Sequence, residues 1–289
     1  RVRSSAASDV YKRQALLSAL SLLIVSLSGC NLISEANPAA DFEYGFSREG
    51  GISIREYIGS DKTVVIPSKI DGQAVTVIAG GAFWGTSIES VVIPDSVKFV
   101  VARAFYGCDQ LKTVDFGDGI IEIQEEAFRE CTALESIILP KNLETIGEGA
   151  FYGCTSATEI YIPKTLTNWS GEYSHPTFYE STALETLTIE DGLSVLGEFG
   201  SFSWASSLKN LVIPASVEKI GDVAFHSATA LESVTFLGDA PQVTENVFGY
   251  PNTETASPNL VIYYDPNTSG WDNTVLSQYH LVSIYDKTE

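Results

Sequence analysis

The 289-residue sequence contains no methionine, only three histidines, and 17 basic against 37 acidic residues, which gives a formal net charge of −20. So few basic residues argue against nucleic-acid binding, because nucleic-acid-binding proteins need a basic face to displace counterions. They also argue against docking on anionic lipid through basic patches. The sequence is nevertheless 44% hydrophobic, so it contains enough apolar material for a sizeable folded core.

The sequence also lacks the motifs of common catalytic sites. It contains no GxSxG and no HExxH motif, and none of its histidines, His175, His226 and His280, belongs to a recognisable nucleophile motif. The segment from Asp115 to Gly119 departs from the EF-hand spacing, so we interpret it as a turn rather than as a calcium loop. We therefore predict a protein that is not an enzyme and that has no catalytic residues, metal or cofactor.

The N-terminal residues have the pattern of a leader rather than of a folded domain. Residues 1–14 lack apolar periodicity and resemble translated sequencing-adapter sequence, and with the missing methionine this leads us to expect a non-native leader. Residues 15–29 contain an apolar run of the length of a secretory signal, too short and too interrupted by serine to span a bilayer. We expect these residues to be a signal peptide.

The predicted signal peptide is followed directly by a cysteine. The residues Leu27-Ser28-Gly29-Cys30 resemble a bacterial lipobox. The resemblance implies cleavage before Cys30 and acylation of its thiol, so acyl chains would hold the protein on the membrane without a basic patch. Residues 30–41 would then be a polar tether, and loss of four basic and one acidic residue would give the mature chain a charge of −23.

A repeat of about 23 residues fills residues 64–250. Each copy contains an alternating apolar stretch such as Val91-Val92-Ile93, which is typical of a strand, and in most copies a proline follows that cannot donate to a β ladder. One copy cannot bury its own core residues, whereas stacked copies can, so the repeat predicts a solenoid of eight rungs. The most regular position is a phenylalanine, present as Phe83, Phe105, Phe128, Phe151, Phe178, Phe202, Phe225 and Phe248.

The repeat line L-x-x-V-x-I-P-x-x-[VL]-x-x-I-G-x-x-A-F-x-G-C resembles the BspA type of leucine-rich repeat, also called the Treponema pallidum type. The resemblance covers roughly residues 42–285, with departures at Gly117, Glu190 and Leu237, which replace the proline, and an insertion that we place at residues 168–175. We predict a mainly β, α/β repeat solenoid, with one parallel sheet on one face and short helical or 3-10 turns opposite.

Both ends of the array have segments that fit capping roles. Residues 42–63 contain two strand-like stretches around Gly50-Gly51, which predict an N-terminal β-hairpin cap. Residues 251–289 contain further apolar stretches and Trp271, which predict a C-terminal cap. Bare solenoid ends would stack on copies of the same chain, so we interpret both segments as structural, and we expect a monomer.

Three cysteines, Cys108, Cys131 and Cys154, recur once per rung and therefore form one column. We interpret this column as a ladder of small buried thiols. A disulfide between neighbours or a soft-metal site remains an alternative, although the number of thiols is odd and no CxxC spacing is present.

The strand alternation also predicts which residues face outward. Ile138 and Tyr161 are outward-facing neighbours on adjacent rungs, and contiguous exposed apolar surface can mark a contact site, although such residues also suit strands for their own sake. The insertion adds Trp169 and Tyr173, aromatic residues favoured at contact hot spots, which alternatively fold back over the solenoid edge. We hypothesise that these four residues form a protein- or glycan-binding patch.

The family resemblance implies adhesion to host matrix proteins or to other bacteria. We therefore predict an exported lipoprotein, anchored to the bacterial envelope and exposed on the cell surface, that binds macromolecules through its leucine-rich repeats. One alternative is an accessory lipoprotein for glycan binding or nutrient uptake, in which exposed tryptophan and tyrosine would stack on sugar rings. Another is a purely structural envelope protein.

Overall fold

The computed structural model describes residues 35–169, 175–250, 254, 257, 259–273 and 275–286. These residues form a mainly β parallel solenoid of about 10 turns, and short 3-10 helices occur at Ala39–Asp41, Trp271–Asn273 and Val275–Gln278. Among the described residues, no helix is both long and apolar enough to cross a membrane.

The strands in chain order are β1 (Phe42–Phe46), β2 (Ile52–Tyr57), β3 (Thr63–Val65), β4 (Lys69–Ile70), β5 (Gln73–Ile78), β6 (Ser90–Val92), β7 (Phe99–Val100), β8 (Thr113–Asp115), β9 (Glu122–Ile123), β10 (Ser136–Ile138), β11 (Thr145–Ile146), β12 (Glu159–Ile162), β13 (Asn168–Trp169), β14 (Thr186–Ile189), β15 (Val195–Leu196), β16 (Asn210–Ile213), β17 (Lys219–Ile220), β18 (Ser233–Phe236), β19 (Val261–Tyr264) and β20 (His280–Ser283).

The first strand of each rung follows the alternation in the sequence. Strand β6 pairs in parallel with β3 and β8, and β12 pairs in parallel with β10 and β14. Val91 and Ile93 are buried, whereas Val92 between them is half-buried. The predicted leucine-rich repeat solenoid with a parallel sheet is therefore confirmed.

A second column of parallel strands, which the sequence analysis did not predict, forms another side of the solenoid. Strands β5, β7, β9, β11 and β13 pair in this order, and β15 pairs with β17. Apart from β5 these strands contain only two residues each, so they are too short to show a period of two in the sequence. Close packing explains the glycine that often follows them, because a Cβ atom on Gly147 would lie 2.4 Å from the backbone nitrogen of Glu125.

The third side of each rung is the turn around the core phenylalanine. The sequence predicts short helical or 3-10 turns here. In the structure the described residues on this side form hydrogen-bonded turns, and none of these turns is a helix. The amide of Phe83 donates to the carbonyl oxygen of Ala104 at 2.7 Å, and the amide of Phe105 donates to that of Ala127 at 2.7 Å. These amides bond to the following rung instead of to their own turn, which explains why no helix forms.

The eight core phenylalanines form one continuous column of stacked rings. Each of them is at most 2% exposed. Successive ring centroids lie between 4.6 Å apart, for Phe83 and Phe105, and 5.8 Å apart, for Phe225 and Phe248. Each ring therefore completes its burial against the rings of the neighbouring rungs, as the repeat predicts.

The N-terminal cap continues this column with two further rings. Strands β1 and β2 form an antiparallel hairpin, and β2 pairs in parallel with β5. The ring of Tyr57 stacks on Phe83 at 5.4 Å, and Phe42 lies 5.6 Å from Tyr57. The predicted hairpin cap is present, and its aromatic residues cover the first core ring.

Part of the predicted tether packs onto the first rung. The buried side-chain amide of Asn37 donates to Asp41 at 2.9 Å and to Asp61 at 3.0 Å, and its oxygen accepts the amide of Val65 at 2.8 Å. The tether prediction is therefore wrong from Asn37 onward, because these bonds fix the segment on the cap. Residues 1–34, which include the predicted leader, the signal peptide and Cys30, lie outside the described residues.

The C-terminal cap adds two strands to the sheet that contains β16 and β18. Strand β19 pairs in parallel with β18, and β20 pairs in parallel with β19. The ring of Tyr279 meets Phe248 edge-on at 5.7 Å, and Trp271 meets Phe236 edge-on at 5.4 Å. These aromatic residues cover the last rung, as expected of a cap.

Replacing Phe151 by alanine is expected to lower the free energy of unfolding by about 3–5 kcal/mol, because it leaves a cavity in the ring column. Phe151 is 0% exposed and stacks on both Phe128 and Phe178. Chemical denaturation of the wild-type protein and the variant measures the loss. The exposed Trp84→Ala variant is the control, with an expected loss of about 1 kcal/mol or less. Equal losses for the two variants would contradict the role of the column.

Candidate binding surface

The sheet face brings two of the predicted contact residues together. Ile138 and Tyr161 are register partners in β10 and β12, and both are half-buried. The Tyr161 hydroxyl donates to the Glu190 carboxylate at 3.1 Å, and the same carboxylate forms an ion pair with Lys164 at 2.8 Å. This face therefore offers a flat apolar pair in which the hydroxyl group, the only polar side-chain group of the pair, is already hydrogen-bonded. A role of this pair in binding remains a prediction.

Trp169, the third predicted contact residue, belongs to the core. It is 5% exposed and is the register partner of Ile146 in the second strand column. Its ring meets Phe178 and Phe202 edge-on at 6.4 and 6.3 Å. The prediction of an exposed Trp169 is wrong because Trp169 replaces the core isoleucine of its rung. The fourth predicted residue, Tyr173, lies outside the described residues.

The exposed aromatic surface of the array lies on the turn side. Among its described residues, the exposed large hydrophobic side chains are Trp84, Trp204 and Tyr250, which are 59%, 46% and 48% exposed. Each follows a core phenylalanine by one or two positions, where the stacked rings hold the adjacent side chains outward. We define the turn-side stripe by these three residues and the five residues that directly follow the core phenylalanine in the other turns, namely Tyr106, Arg129, Tyr152, Tyr179 and His226.

Residues of the turn-side stripe contact one another from rung to rung. The rings of Trp84 and Tyr106 lie 5.3 Å apart, and those of Tyr152 and Tyr179 stack at 5.0 Å. Between these two pairs, the guanidinium carbon of Arg129 lies 4.3 Å above the centre of the Tyr152 ring, which is a cation–π contact. The five members of the stripe from Trp84 to Tyr179 therefore form a row of flat aromatic and guanidinium groups.

A carboxylate fixes the arginine in this row. Glu126 accepts Arg103 Nε at 2.6 Å on one oxygen and Arg129 Nη1 at 2.9 Å on the other. Burial raises the pKa of the Glu126 carboxyl, but the hydrogen bonds and charges of the two arginines outweigh burial and hold this pKa below its ordinary value. The carboxylate therefore stays ionised at neutral pH and bridges two rungs.

A shallow groove runs along the N-terminal half of the stripe. Its volume is about 300 Å³, and it is lined by Trp84, Arg103, Tyr106, Glu126, Arg129 and His175. The His175 ring bonds to the Glu148 carboxylate at 3.0 Å, which places the residue after the undescribed segment back on the turn side. The groove combines aromatic faces with charged hydrogen-bonding groups, the composition of a small-molecule or polar macromolecular binding site.

In six of the eight turns the backbone adopts a left-handed conformation both two residues before and two residues after the core phenylalanine. Glycine occupies many of these positions, as at Gly107 with φ +68°, because a Cβ atom makes this conformation costly. Three charged residues beside the groove adopt it nevertheless, namely Arg103 at φ 61°, Glu126 at 54° and Glu130 at 60°. Side chains are thus present here at positions where the fold favours glycine.

Comparison with known proteins assigns the repeat. The family model of the BspA type leucine rich repeat region matches six copies, over residues 76–198 and 172–255. The chain belongs to this BspA-type leucine-rich repeat family. The family that the sequence resembles is therefore confirmed, and its Ala-Phe turns are the turns that present the stripe.

One solved structure supports this assignment. A leucine-rich repeat protein of T. pallidum is 31% identical, with a TM-score of 0.62, and the match covers 68% of this chain and 91% of that one. A leucine-rich repeat protein from Bacteroides ovatus is 24% identical, with a TM-score of 0.41 and coverage of 78% and 70%. A search of curated proteins found no match.

The cysteines of the BspA-type repeat are structural in this chain. Cys108, Cys131 and Cys154 are free and buried, and the Cys108 thiol donates to the Phe83 carbonyl oxygen at 3.0 Å. Burial raises the pKa of both Cys131 and Cys154, so their thiols resist ionisation and reaction. The buried-ladder interpretation holds. Within the part of the chain that the structure describes, no cluster of three or more His, Cys, Asp or Glu residues could hold a metal.

The sequence contained a signal for the turn-side stripe. The position directly after the core phenylalanine is aromatic or arginine in five successive rungs, from Trp84 to Tyr179. This position recurs with the period of the repeat, so its outward direction follows from burial of the phenylalanine beside it. The predicted contact patch lies instead on the sheet face and the insertion, because strand alternation gives a direct rule for exposure on the sheet and the insertion adds aromatic residues to the repeat.

Replacing Gly107 by alanine is expected to lower the free energy of unfolding by about 1–2 kcal/mol, the cost of a left-handed conformation for a residue with a Cβ atom. No atom lies within 4 Å of a Cβ built on Gly107, so steric contact contributes nothing. Thermal and chemical denaturation measure the change. The control is Ala133→Gly at an ordinary backbone position, where glycine is not required. Unchanged stability of the alanine variant would show that these turns tolerate side chains without cost.

Proposed function

We propose that this protein is a lipid-anchored bacterial surface protein that attaches to macromolecules of the host matrix or of other cells through the turn-side stripe. Leucine-rich repeats generally mediate protein–protein binding, and this solenoid is typically a binding scaffold rather than an enzyme. The observation that carries the proposal is the row of aromatic and arginine side chains on neighbouring turns, in which Trp84 is exposed and the four residues that follow it in the row are half-buried.

The chemistry of the stripe supports a role in contact. Tryptophan, tyrosine and arginine are the residues that dominate binding energy at protein interfaces, and the stripe contains all three. Its side chains are also held before a partner arrives, since Arg129 is fixed by Glu126 and by the face of Tyr152. These side chains would therefore lose little conformational entropy when a partner binds.

The anchor part of the proposal is supported by the lipobox-like residues that end at Cys30. Metabolic labelling of producing bacteria with a clickable palmitate analogue tests it. The full chain should take up the label and fractionate with the envelope, whereas Cys30→Ala should lose the label and leave the envelope fraction. The buried Cys108→Ala variant is the control and should keep the label. Equal labelling of the Cys30→Ala variant would contradict lipidation at this residue.

The binding part of the proposal is tested by two matched double variants. Tyr152→Ala with Tyr179→Ala removes a stacked pair from the turn side, and Ile138→Ala with Tyr161→Ala removes the register pair from the sheet face. Binding of the detergent-solubilised full chain to immobilised matrix proteins and to bacterial surface extracts is measured for each. The turn-side variant should bind about tenfold more weakly, and the sheet-face variant should bind nearly as the wild type does.

Two results of this comparison would count against the proposal. Loss of binding only in the sheet-face variant would move the contact to Ile138 and Tyr161. Absence of binding to every matrix, epithelial and bacterial preparation would overturn the adhesion function itself.

A glycan-binding accessory role is the second candidate. The observation that favours it is the position of the exposed Trp84 beside a groove lined by charged hydrogen-bonding groups, since sugars combine an apolar face with a rim of hydroxyl groups.

A further inference from the structure

We propose that the groove between Trp84 and Arg129 is a subsite for an uncharged pyranose unit of a glycan, formed by the Trp84 and Tyr106 rings and by the bridged arginines Arg103 and Arg129. This inference rests on the proposed binding function of the turn-side stripe and names the ligand class of its N-terminal half. It is argued from the lining chemistry, the local charge and the backbone conformation.

The lining of the groove matches the two surfaces of a sugar ring. The aromatic faces of Trp84 and Tyr106, 5.3 Å apart, suit the C–H groups on the flat face of a pyranose. The guanidinium groups supply several N–H donors in a plane, and Glu126 supplies acceptors, which suits neighbouring hydroxyl groups on the sugar rim. Among the described residues, the lining contains no aliphatic side chain, unlike a groove that is built to bury an apolar peptide.

The local charge selects an uncharged ligand. Glu126 bridges Arg103 and Arg129, and Glu130 lies 3.9 Å from Arg129, so these two carboxylates balance the two guanidinium groups. Sulfated or carboxylated polysaccharides would meet no uncompensated cation here and would be repelled by a chain with a formal charge of −20. A basic peptide would be attracted by the acidic molecule as a whole, but inside the groove it would find both carboxylates already paired with the arginines. The balanced charge of the groove therefore offers no specific partner to either sign of charge.

The backbone supplies an independent indication that these side chains serve a purpose. Arg103 and Glu126 have left-handed φ angles of 61° and 54° at a position where other rungs have Gly81 and Gly149. Glycine meets the conformational demand without cost, whereas side chains are strained there. Such strain tends to persist at ligand sites. Val223 adopts the same conformation at the equivalent position of a rung outside the groove, so the groove is distinguished by the charged side chains that two successive rungs place there.

The groove is also organised before a ligand binds. Both oxygens of Glu126 are occupied by the two arginines, and Arg129 rests on the ring of Tyr152 at 4.3 Å. The donors therefore keep one orientation, and a ligand loses little affinity in ordering them.

Affinity electrophoresis of the full chain in detergent tests the proposal. Native gels contain one of five uncharged polysaccharides, namely hydroxyethyl cellulose, glucomannan, laminarin, dextran or soluble starch, or else heparin as the polyanion. At least one uncharged polysaccharide should retard the wild-type protein, whereas heparin should not. Trp84→Ala should weaken the retardation about tenfold. The control Phe46→Ala, which removes an exposed aromatic ring from the hairpin cap outside the stripe, should leave the retardation within about twofold.

A second variant separates loss of the site from loss of the fold. Arg103→Gly removes one sugar-facing guanidinium and places glycine where the backbone favours it, so the variant should stay folded by circular dichroism and still lose retardation. Absence of retardation by all five uncharged polysaccharides, preferential retardation by heparin, or equal effects of Trp84→Ala and Phe46→Ala would each overturn the proposal.

The proposed function can survive that failure, and the two are distinguishable. If Trp84→Ala loses binding to matrix or cell-surface preparations while no polysaccharide retards the wild type, the stripe binds protein and the sugar subsite is wrong. Enzymatic deglycosylation of the preparations gives the same distinction, since it should reduce binding only if the groove recognises a glycan.

Discussion

The stacking of one aromatic ring per turn is the constraint on which the rest of the structure depends. Neighbouring core rings lie 4.6–5.8 Å apart, close to the ~4.8 Å spacing of adjacent β-strands. The same distance between rungs therefore allows both ring stacking and backbone hydrogen bonding along a linear stack. The N-terminal cap obeys the same constraint, because Tyr57 stacks on the first core ring, whereas Tyr279 of the C-terminal cap ends the column with an edge-on contact. Because each ring points inward, the residue beside it is held on the outside at the same interval.

The turn-side stripe is therefore a product of the core. A fold that repeats a buried phenylalanine also repeats an exposed position next to it, and this chain fills that position with tryptophan, tyrosine and arginine in the first five core rungs. The same turns require left-handed residues, which glycine supplies most easily. Where Arg103 and Glu126 replace glycine, the chain accepts backbone strain for an ion-paired wall beside Trp84. Stability favours glycine there, and the proposed binding of a polar ligand would account for the side chains.

The sequence predicts the periodic features well, because eight copies repeat a pattern that would be weak in one copy. The phenylalanine column, the first strand of each rung and the hairpin cap follow from it. The second strand column is too short to produce a pattern. Trp169 was misplaced because the 27-residue step shows that residues are inserted but not where, and the structure gives Trp169 the core position of Ile146 in the preceding rung. The packing of Asn37 depends on Asp61 and Val65, partners that no local pattern connects.

The central claim is that this protein meets its partners through the turn side. Site-specific photo-crosslinking on intact bacteria tests it most directly, with a benzophenone amino acid placed at Tyr106 on the turn side or at Ile138 on the sheet face. Benzophenone reacts with C–H bonds of proteins and glycans alike, so the ligand need not be known. The account predicts crosslinked adducts to surface material from position 106 and few from position 138. Adducts from position 138 alone would contradict it.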